Sequence, residues 1–267
     1  MRWERISIPY HSGKLRAHYF PGGPGAEQKP LVMLVGGFDS ILEELYPFLG
    51  KAALARGYSI LAYEGPSQGQ PLRDGFKFTP DWEKPTGAIL DAFLATHAQP
   101  KQIVPIGMSM GGYFAPRAAA FERRIDGVVA WNICFDFGNC AEPIMKLAAD
   151  PIGSKIPDVV WAYDNARWTM GTSGLEDTAR TFAVYTLAPV AQQIRQHVLI
   201  MVGEVDHFIP LHQTADFEKA LVNAKSVTTK VFSRISGGNE HCQAGNLTLV
   251  HATIFDWLQS TFGNGHS

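Results

Sequence analysis

Six short apolar runs, interleaved with stretches of helical spacing, constrain the fold of this chain more than any other feature. The runs lie at 31–35, 58–63, 102–107, 127–131, 197–202 and 227–232. Strands buried on both faces have this composition. The helical patterns lie at 42–56, 85–98, 110–121, 211–223 and 246–261. The alternation predicts an α/β fold with a mostly parallel, doubly wound sheet, and two runs flanking "HSG" (residues 11–13) predict a starting hairpin.

The interval between the runs at 127–131 and 197–202 is too long for a plain crossover connection. We interpret residues 136–190 as a helical lid insertion over the carboxyl ends of the strands, where open α/β sheets bind ligands. Residues 1–135 and 191–267 then form the two parts of the core. The alternative is a pair of ordinary surface helices whose aromatic residues contact the core.

Composition excludes several classes of protein. The 267 residues fit one large α/β domain, and 23 Lys and Arg against 25 Asp and Glu give no basic surface for nucleic acid. The first residues do not resemble a secretory signal, and no run approaches the ~20 apolar residues of a membrane span. Three cysteines make a disulfide scaffold improbable and favour a cytoplasmic location. No metal-ligand spacing is present, and a homodimer is compatible with the sequence.

The pattern G-x-S-x-G, typical of a nucleophile turn, occurs twice, around Ser67 and around Ser109. A nucleophile turn needs a buried strand before the serine and a helix immediately after it. Ser109 has both, whereas Ser67 is followed by Pro71 and by no predicted helix. We therefore predict that Ser109 is the nucleophile and that Ser67 belongs to a structural loop.

A serine hydroxyl needs a base to accept its proton and a carboxylate to orient that base. In folds with this nucleophile turn, the acid follows the serine along the chain, and the histidine follows the acid. His241 lies in a glycine-rich loop after the last predicted strand, and Asp206 follows the strand at 197–202. We predict these two as base and acid. Glu204 is interpreted as a supporting residue, and Asp136 is the alternative acid.

Two backbone amides should stabilise the oxyanion, and we predict those of Met110, next to the nucleophile, and Phe38, in the loop after the first core strand. Glu43 and Glu44 follow that loop. One interpretation makes Ser40 and Glu43 a capping box at a helix start. The other makes the two carboxylates substrate-binding groups, together with Trp161 and Trp168 of the insertion.

The segments "GGFDSILEEL", "YEGPSQGQ", "GMSMGGY", "VGEVDHFIP" and "GGNEHCQAGN" together resemble the α/β-hydrolase superfamily. The resemblance is closest to the branch that contains 2,6-dihydroxypseudooxynicotine hydrolase, the fungal polyketide-shortening hydrolases and the FrsA-like proteins. It implies a triad of Ser109, Asp206 and His241 and suggests that a glutamate near the oxyanion loop assists members that cleave carbon–carbon bonds. Those relatives usually carry a helical N-terminal domain, whereas predicted strands begin almost at once here.

These patterns predict a serine hydrolase that acts on a small acyl compound, with a carboxylic ester as the leading candidate, without a cofactor or metal. Hydrolysis of a carbon–carbon bond in a β-diketone-like substrate is the first alternative, because the same triad would serve it. A non-catalytic binding protein that uses the pocket as a receptor is the second. Aromatic residues in the insertion predict a moderately apolar or aromatic substrate.

Overall fold

A computed structural model describes residues 2–263; His266, one of the nine histidines, lies outside them. Its strands are β1 (Glu4–Tyr10), β2 (Gly13–Phe20), β3 (Leu31–Val35), β4 (Ile60–Glu64), β5 (Ile103–Met108), β6 (Gly127–Trp131), β7 (His197–Gly203) and β8 (Ser226–Phe232). They form one sheet in the order β1-β2-β4-β3-β5-β6-β7-β8. The β1–β2 and β2–β4 pairs are antiparallel and the other pairs are parallel, which confirms the predicted α/β class.

The helices are α1 (Leu42–Leu45), α2 (Lys51–Ala55), α3 (Gly69–Arg73), α4 (Glu83–Leu94), α5 (Gly111–Phe121), α6 (Phe137–Ala149), α7 (Pro157–Met170), α8 (Leu175–Ala183), α9 (His212–Ala220) and α10 (Leu247–Phe262). A π-helical turn that contains Pro47 separates α1 from α2, so the single helix predicted over 42–56 is interrupted. The short helix α3 was not predicted, and the expectation that no helix follows Ser67 is wrong.

The sheet separates two apolar layers, as expected for strands that are buried on both faces. Residues of α4, α5 and α9 pack in one layer, whereas α1, α2 and α10 pack in the other. Every residue of β3, β4, β5 and β6 is buried. Continuous apolar runs in these strands follow from this arrangement, because neither face of a central parallel strand meets water.

Helices α6, α7 and α8 lie between β6 and β7 in the chain and pack against one another. Residues from all three line a cavity that also contains Ser109 and His241. They therefore cover the site at the carboxyl ends of β5 and β7, although the assignment of residues 136–190 as a separate lid domain stays a prediction. Within the described residues, no helix is both long enough and apolar enough to span a membrane.

Candidate active site

Ser109 occupies a sharp turn between β5 and α5. Its φ of 59° lies in the left-handed region, which is strained for a residue with a side chain. Glycines on both sides allow the turn: a Cβ atom on Gly107 would lie only 1.8 Å from the carbonyl oxygen of Gly111. The turn thus raises the hydroxyl above the end of the sheet at the start of α5.

His241 lies in the loop that follows β8, and its Nε2 atom is 2.9 Å from Ser109 Oγ. The next two residues, Cys242 and Gln243, also have positive φ angles, of 51° and 49°. Gln243 is fully buried, and its Oε1 accepts a hydrogen bond of 2.8 Å from the indole nitrogen of Trp131. The bond from Trp131 at the end of β6 therefore fixes the loop that carries the imidazole.

Asp206 follows β7, and its fully buried carboxylate lies 2.8 Å and 3.0 Å from His241 Nδ1 through its two oxygens. The amides of Phe208 and Ile209 donate to the same carboxylate at 2.8 Å and 2.9 Å. Burial by itself would raise the pKa of Asp206, but the hydrogen bond and charge of His241 and the two amides outweigh it, so this pKa is lowered. The carboxylate is held ionised and fixed in place.

Asn132 was not predicted as a site residue. It follows β6 with a φ of 65°, is completely buried, and donates a short hydrogen bond from Nδ2 to Asp206. Its Oδ1 accepts a bond of 3.2 Å from Gln243. Asn132 thus joins the loops that carry Asp206 and His241. An asparagine directly after a buried strand, where it tolerates a left-handed conformation, was the available signal.

Residues 36–40, named the oxyanion loop because they include the predicted oxyanion donor Phe38, pack directly against Ser109. A Cβ atom on Gly37 would lie 2.7 Å from Ser109 Cβ and 3.0 Å from the Met110 amide nitrogen. Within residues 2–263, the amides of Phe38 and Met110 donate no hydrogen bond to another group of the chain. Among the described residues, these two amides at one end of the sheet are therefore free to donate hydrogen bonds to a bound molecule.

Glu43 and Glu44 do not line the cavity. Helix α1 begins after Ile41 without a side-chain cap, and Ser40 Oγ instead accepts a bond of 2.7 Å from the Gly37 amide. The capping box of Ser40 and Glu43 is therefore wrong, because the serine holds the oxyanion loop. Burial raises the pKa of Glu44, against hydrogen bonds with Ser40 and the Ile41 amide that lower it.

An apolar cavity of about 240 Å³ opens beside Ser109 and His241. Its wall combines aromatic, aliphatic and thiol side chains: Phe38, Phe137, Phe182, Trp161, Ile144, Met145, Cys134 and Cys140 are among them. Trp161 therefore lines the cavity, and its role in substrate binding stays a prediction. Trp168 does not line the cavity; its side chain is half exposed, and its carbonyl accepts a bond from Lys77.

Cys134 and Cys140 lie in the cavity wall with their sulfur atoms 3.8 Å apart, as free thiols. Burial raises the pKa of Cys134 well above its usual value, and hydrogen bonding with Cys140 adds to the shift. Cys242 is also buried and free, and burial raises its pKa. Near neutral pH Cys134 and Cys242 are therefore thiols, and they pack as small apolar side chains.

The alternative candidates have other contacts. Asp136 caps α6 by accepting a bond of 2.9 Å from the Asn139 amide, and Glu204 accepts one of 3.1 Å from the Arg234 amide. Ser67 has a φ of 68°, but its hydroxyl is buried and donates to the Thr169 carbonyl at 2.7 Å. None of these three side chains reaches the hydrogen-bonded chain from Ser109 to Asp206.

The chain was compared with known proteins. Hydrolase acrC from Aspergillus aculeatus is 28% identical over 97% of this chain and 69% of its own length. Among solved structures, 2,6-dihydroxy-pseudo-oxynicotine hydrolase superposes with a TM-score of 0.75 at 23% identity, covering 97% of this chain and 68% of the other. An esterase from Pyrococcus furiosus gives a TM-score of 0.74 at 17% identity, covering 97% and 91%. The two structural similarities concern the fold, and this chain spans about two thirds of the length of the first two proteins.

A family model described as "Alpha/beta hydrolase family" matches residues 31–234. The match begins with β3 and ends just after β8, so it contains every strand whose end carries a candidate site residue. Together with the fungal and pseudo-oxynicotine hydrolase similarities, it supports the branch that the sequence motifs indicated. The chain belongs to the alpha/beta hydrolase family.

Proposed function

We propose that this protein is a serine hydrolase that cleaves an acyl bond, with a carboxylic ester as the first candidate, through Ser109, His241 and Asp206. One observation carries the proposal: an unbroken line of hydrogen bonds runs from Ser109 Oγ through both nitrogens of His241 to a buried carboxylate, beside an apolar cavity. This arrangement lets a neutral imidazole accept the serine proton while the carboxylate stabilises the resulting cation.

The first half of the reaction transfers the acyl group to the enzyme. Ser109 Oγ attacks the carbonyl carbon as its proton moves to His241 Nε2, and the carbonyl oxygen becomes an oxyanion. The free amides of Phe38 and Met110 donate hydrogen bonds to this oxygen. His241 then gives its proton to the leaving alkoxide, the carbon–oxygen bond breaks, and an acyl-enzyme and an alcohol result.

The second half returns the enzyme to its starting state. A water molecule replaces the alcohol, gives a proton to His241 Nε2 and attacks the acyl carbon. The same two amides hold the second oxyanion. Collapse of this intermediate returns the proton to Ser109 and releases a carboxylic acid. Every proton in the cycle passes through His241 Nε2.

The cavity supports a moderately apolar or aromatic acyl substrate. Its wall presents rings from Phe38, Phe137, Phe182 and Trp161 to the space beside Ser109. Such a wall gains free energy by removing apolar substrate surface from water and offers no cation to a charged acyl chain. A small-molecule acyl compound is therefore the partner that we propose, bound beneath residues 136–190 acting as a lid.

Hydrolysis of a carbon–carbon bond is the second candidate, favoured by one observation. Glu44 lies beside the oxyanion loop, where it hydrogen-bonds Ser40, and burial raises its pKa. In this reaction a carbanion stabilised by its own carbonyl group would replace the alkoxide as leaving group. The same serine, histidine and amides would serve. The apolar wall of the same cavity would favour a β-diketone with aromatic substituents.

We propose a reducing compartment, the cytoplasm, for the protein. All three cysteines of the sequence are unpaired thiols, including Cys134 and Cys140, whose sulfur atoms are only 3.8 Å apart. Proteins of oxidising compartments generally convert such neighbours to disulfides. Counting free thiols in protein purified without reductant checks this proposal. We expect three free thiols, and a count of one would contradict the proposal.

A labelling and burst experiment tests the function. The protein should react covalently with a fluorophosphonate at Ser109 and release p-nitrophenol from a short-chain aryl ester in a burst. A panel of aryl esters, alkyl esters and β-diketones then separates the two reactions. A folded protein that neither labels nor turns over any of these compounds would instead be a binding protein.

A further inference from the structure

The G-x-S-x-G segment around Ser67, residues 65–69, forms a turn in which the Gln68 side chain points into the protein. Gln68 is 2% exposed. Its Nε2 donates to the carbonyl oxygens of Gly36 at 2.9 Å and Gly37 at 3.0 Å, and its Oε1 accepts from the Gly65 amide at 3.0 Å. Both hydrogens and the oxygen of the amide are therefore used, and two of the three bonds hold the oxyanion loop.

These bonds act on a donor of the candidate oxyanion hole through the peptide plane. The Gly37 carbonyl and the Phe38 amide belong to one peptide unit, which is planar, so the direction of one fixes the direction of the other. Gln68 holds the carbonyl end of this unit. The opposite end, the Phe38 N–H, has no hydrogen-bond partner among residues 2–263. A hydrogen bond to the carbonyl also polarises the peptide and strengthens its N–H as a donor.

The preceding peptide unit is held at both ends. Its carbonyl, from Gly36, accepts from Gln68, and its amide, from Gly37, donates to Ser40 Oγ at 2.7 Å. Gly37 also contacts Ser109, since a Cβ there would lie 2.7 Å from the serine Cβ. Rotation of the loop about this peptide is blocked on one side by Gln68 and on the other by the nucleophile turn.

We propose that Gln68 is a positioning residue for catalysis, which aims the Phe38 amide at the oxyanion by holding the Gly37 carbonyl. The inference rests on the proposed serine-hydrolase function. The G-x-S-x-G motif around Ser67 would then have a structural role that does not involve its serine, because the turn places Gln68 against the oxyanion loop. Gln68 itself is not among the residues that line the apolar cavity.

Two variants of Gln68 test the proposal with p-nitrophenyl esters. Gln68→Met removes the donors at similar volume, and kcat should fall about tenfold to a hundredfold with KM nearly unchanged, because the transition state loses an aimed donor. In Gln68→Glu the ionised carboxylate cannot donate to the carbonyls, whereas its acid form can donate to one of them. The ratio of kcat in Gln68→Glu to kcat in the unaltered protein should therefore rise as the pH falls.

Binding of a trifluoromethyl ketone gives a readout independent of turnover. This inhibitor forms a hemiketal oxyanion when it binds. Its affinity for Gln68→Met should be lower than for the unaltered protein by the same factor as kcat. The matched control is Thr86→Val, which removes a fully buried hydrogen bond of 3.0 Å to the Tyr63 hydroxyl; neither residue lines the cavity. This control should lower the melting temperature and keep kcat.

The proposal and the function fail in distinguishable ways. If the unaltered protein labels with fluorophosphonate and turns over esters, but folded Gln68→Met retains kcat within twofold, Gln68 does not position the loop. The proposal would also be overturned if the ratio of kcat in Gln68→Glu to kcat in the unaltered protein did not change with pH. If the unaltered protein neither labels nor turns over esters, the proposed function itself falls, and the inference falls with it.

Discussion

The hydroxyl of Ser67 donates a hydrogen bond of 2.7 Å to the carbonyl of Thr169, a residue 102 positions further along the chain in helix α7. This bond occupies the hydroxyl of the second serine motif and removes it from water. Both Ser67 and Ser109 adopt a left-handed conformation, with φ of 68° and 59°. The backbone of the turn therefore does not distinguish them; the partner of the hydroxyl does.

Alanine variants of the two serines should behave oppositely. Ser109→Ala should lower kcat by at least about 10⁴-fold, because no attacking oxygen remains. Ser67→Ala should keep most of kcat and lose about 1 kcal/mol of stability with the bond to Thr169. Ester turnover and thermal melting measure both effects. An inactive but folded Ser67→Ala would show that the wrong serine has been chosen.

Gly37→Ala should lower kcat, because the added methyl group would clash with Ser109. The added Cβ would lie 2.7 Å from Ser109 Cβ and 3.0 Å from both Ser109 Oγ and the Met110 amide nitrogen. Displacing one amide of the oxyanion hole costs about 10²-fold in kcat. Gly23→Ala is the matched control, because a Cβ there meets nothing within 4 Å, and it should leave kcat unchanged. Equal activity in the two variants would contradict the contact.

Asp206→Asn should preserve the fold and lower kcat by about 10⁴-fold. The amide can donate to His241 Nδ1, which would favour the tautomer that carries its proton on Nε2 and cannot accept one from Ser109. Steady-state kinetics with an aryl ester checks the loss, and circular dichroism checks the fold. A variant with more than a tenth of the original kcat would exclude Asp206 as the orienting acid.

Glu44→Gln should raise the free energy of unfolding at pH 7. Burial raises the pKa of Glu44, so ionisation is less favourable in the folded protein than in the unfolded chain. The destabilisation is absent when the pH is below the pKa of Glu44 in the unfolded chain, about 4.3. It reaches its full size when the pH is above the pKa of Glu44 in the folded protein. The gain should therefore vanish as the pH falls through these values. It should stay below about 1 kcal/mol, since water screens a half-exposed group.

Urea unfolding at several pH values measures this effect, and Glu43→Gln provides the control. Glu43 is exposed, so its substitution should change stability by less than about 0.5 kcal/mol. Turnover of the same variants addresses the role of the carboxylates. A large loss of kcat on β-diketones in Glu44→Gln, with ester turnover kept, would favour the carbon–carbon reaction over the ester reaction.

Local sequence determined the elements that approach the site. Apolar runs and helical spacing located β5, α5, β7 and β8, because strands buried on both faces and amphipathic helices leave periodic patterns. Residues that follow the ends of such strands gather at one edge of the sheet. For this reason Ser109, Asp206 and His241 could be chosen together from sequence, and their side chains lie within hydrogen-bonding distance, although their catalytic roles stay predictions.

Contacts between distant segments were decided only by the tertiary structure. Asn132 joins Asp206 to Gln243, Ser40 holds Gly37 instead of capping a helix, and Trp168 lies away from the cavity that Trp161 lines. No periodicity encodes such contacts, because each depends on where another loop lies in space. The sequence by itself thus determined the strands, the longer helices that flank them and the turn that exposes Ser109, but not the short helix α3. Packing between segments decided which hydroxyl meets a base and which is bound to a helix carbonyl.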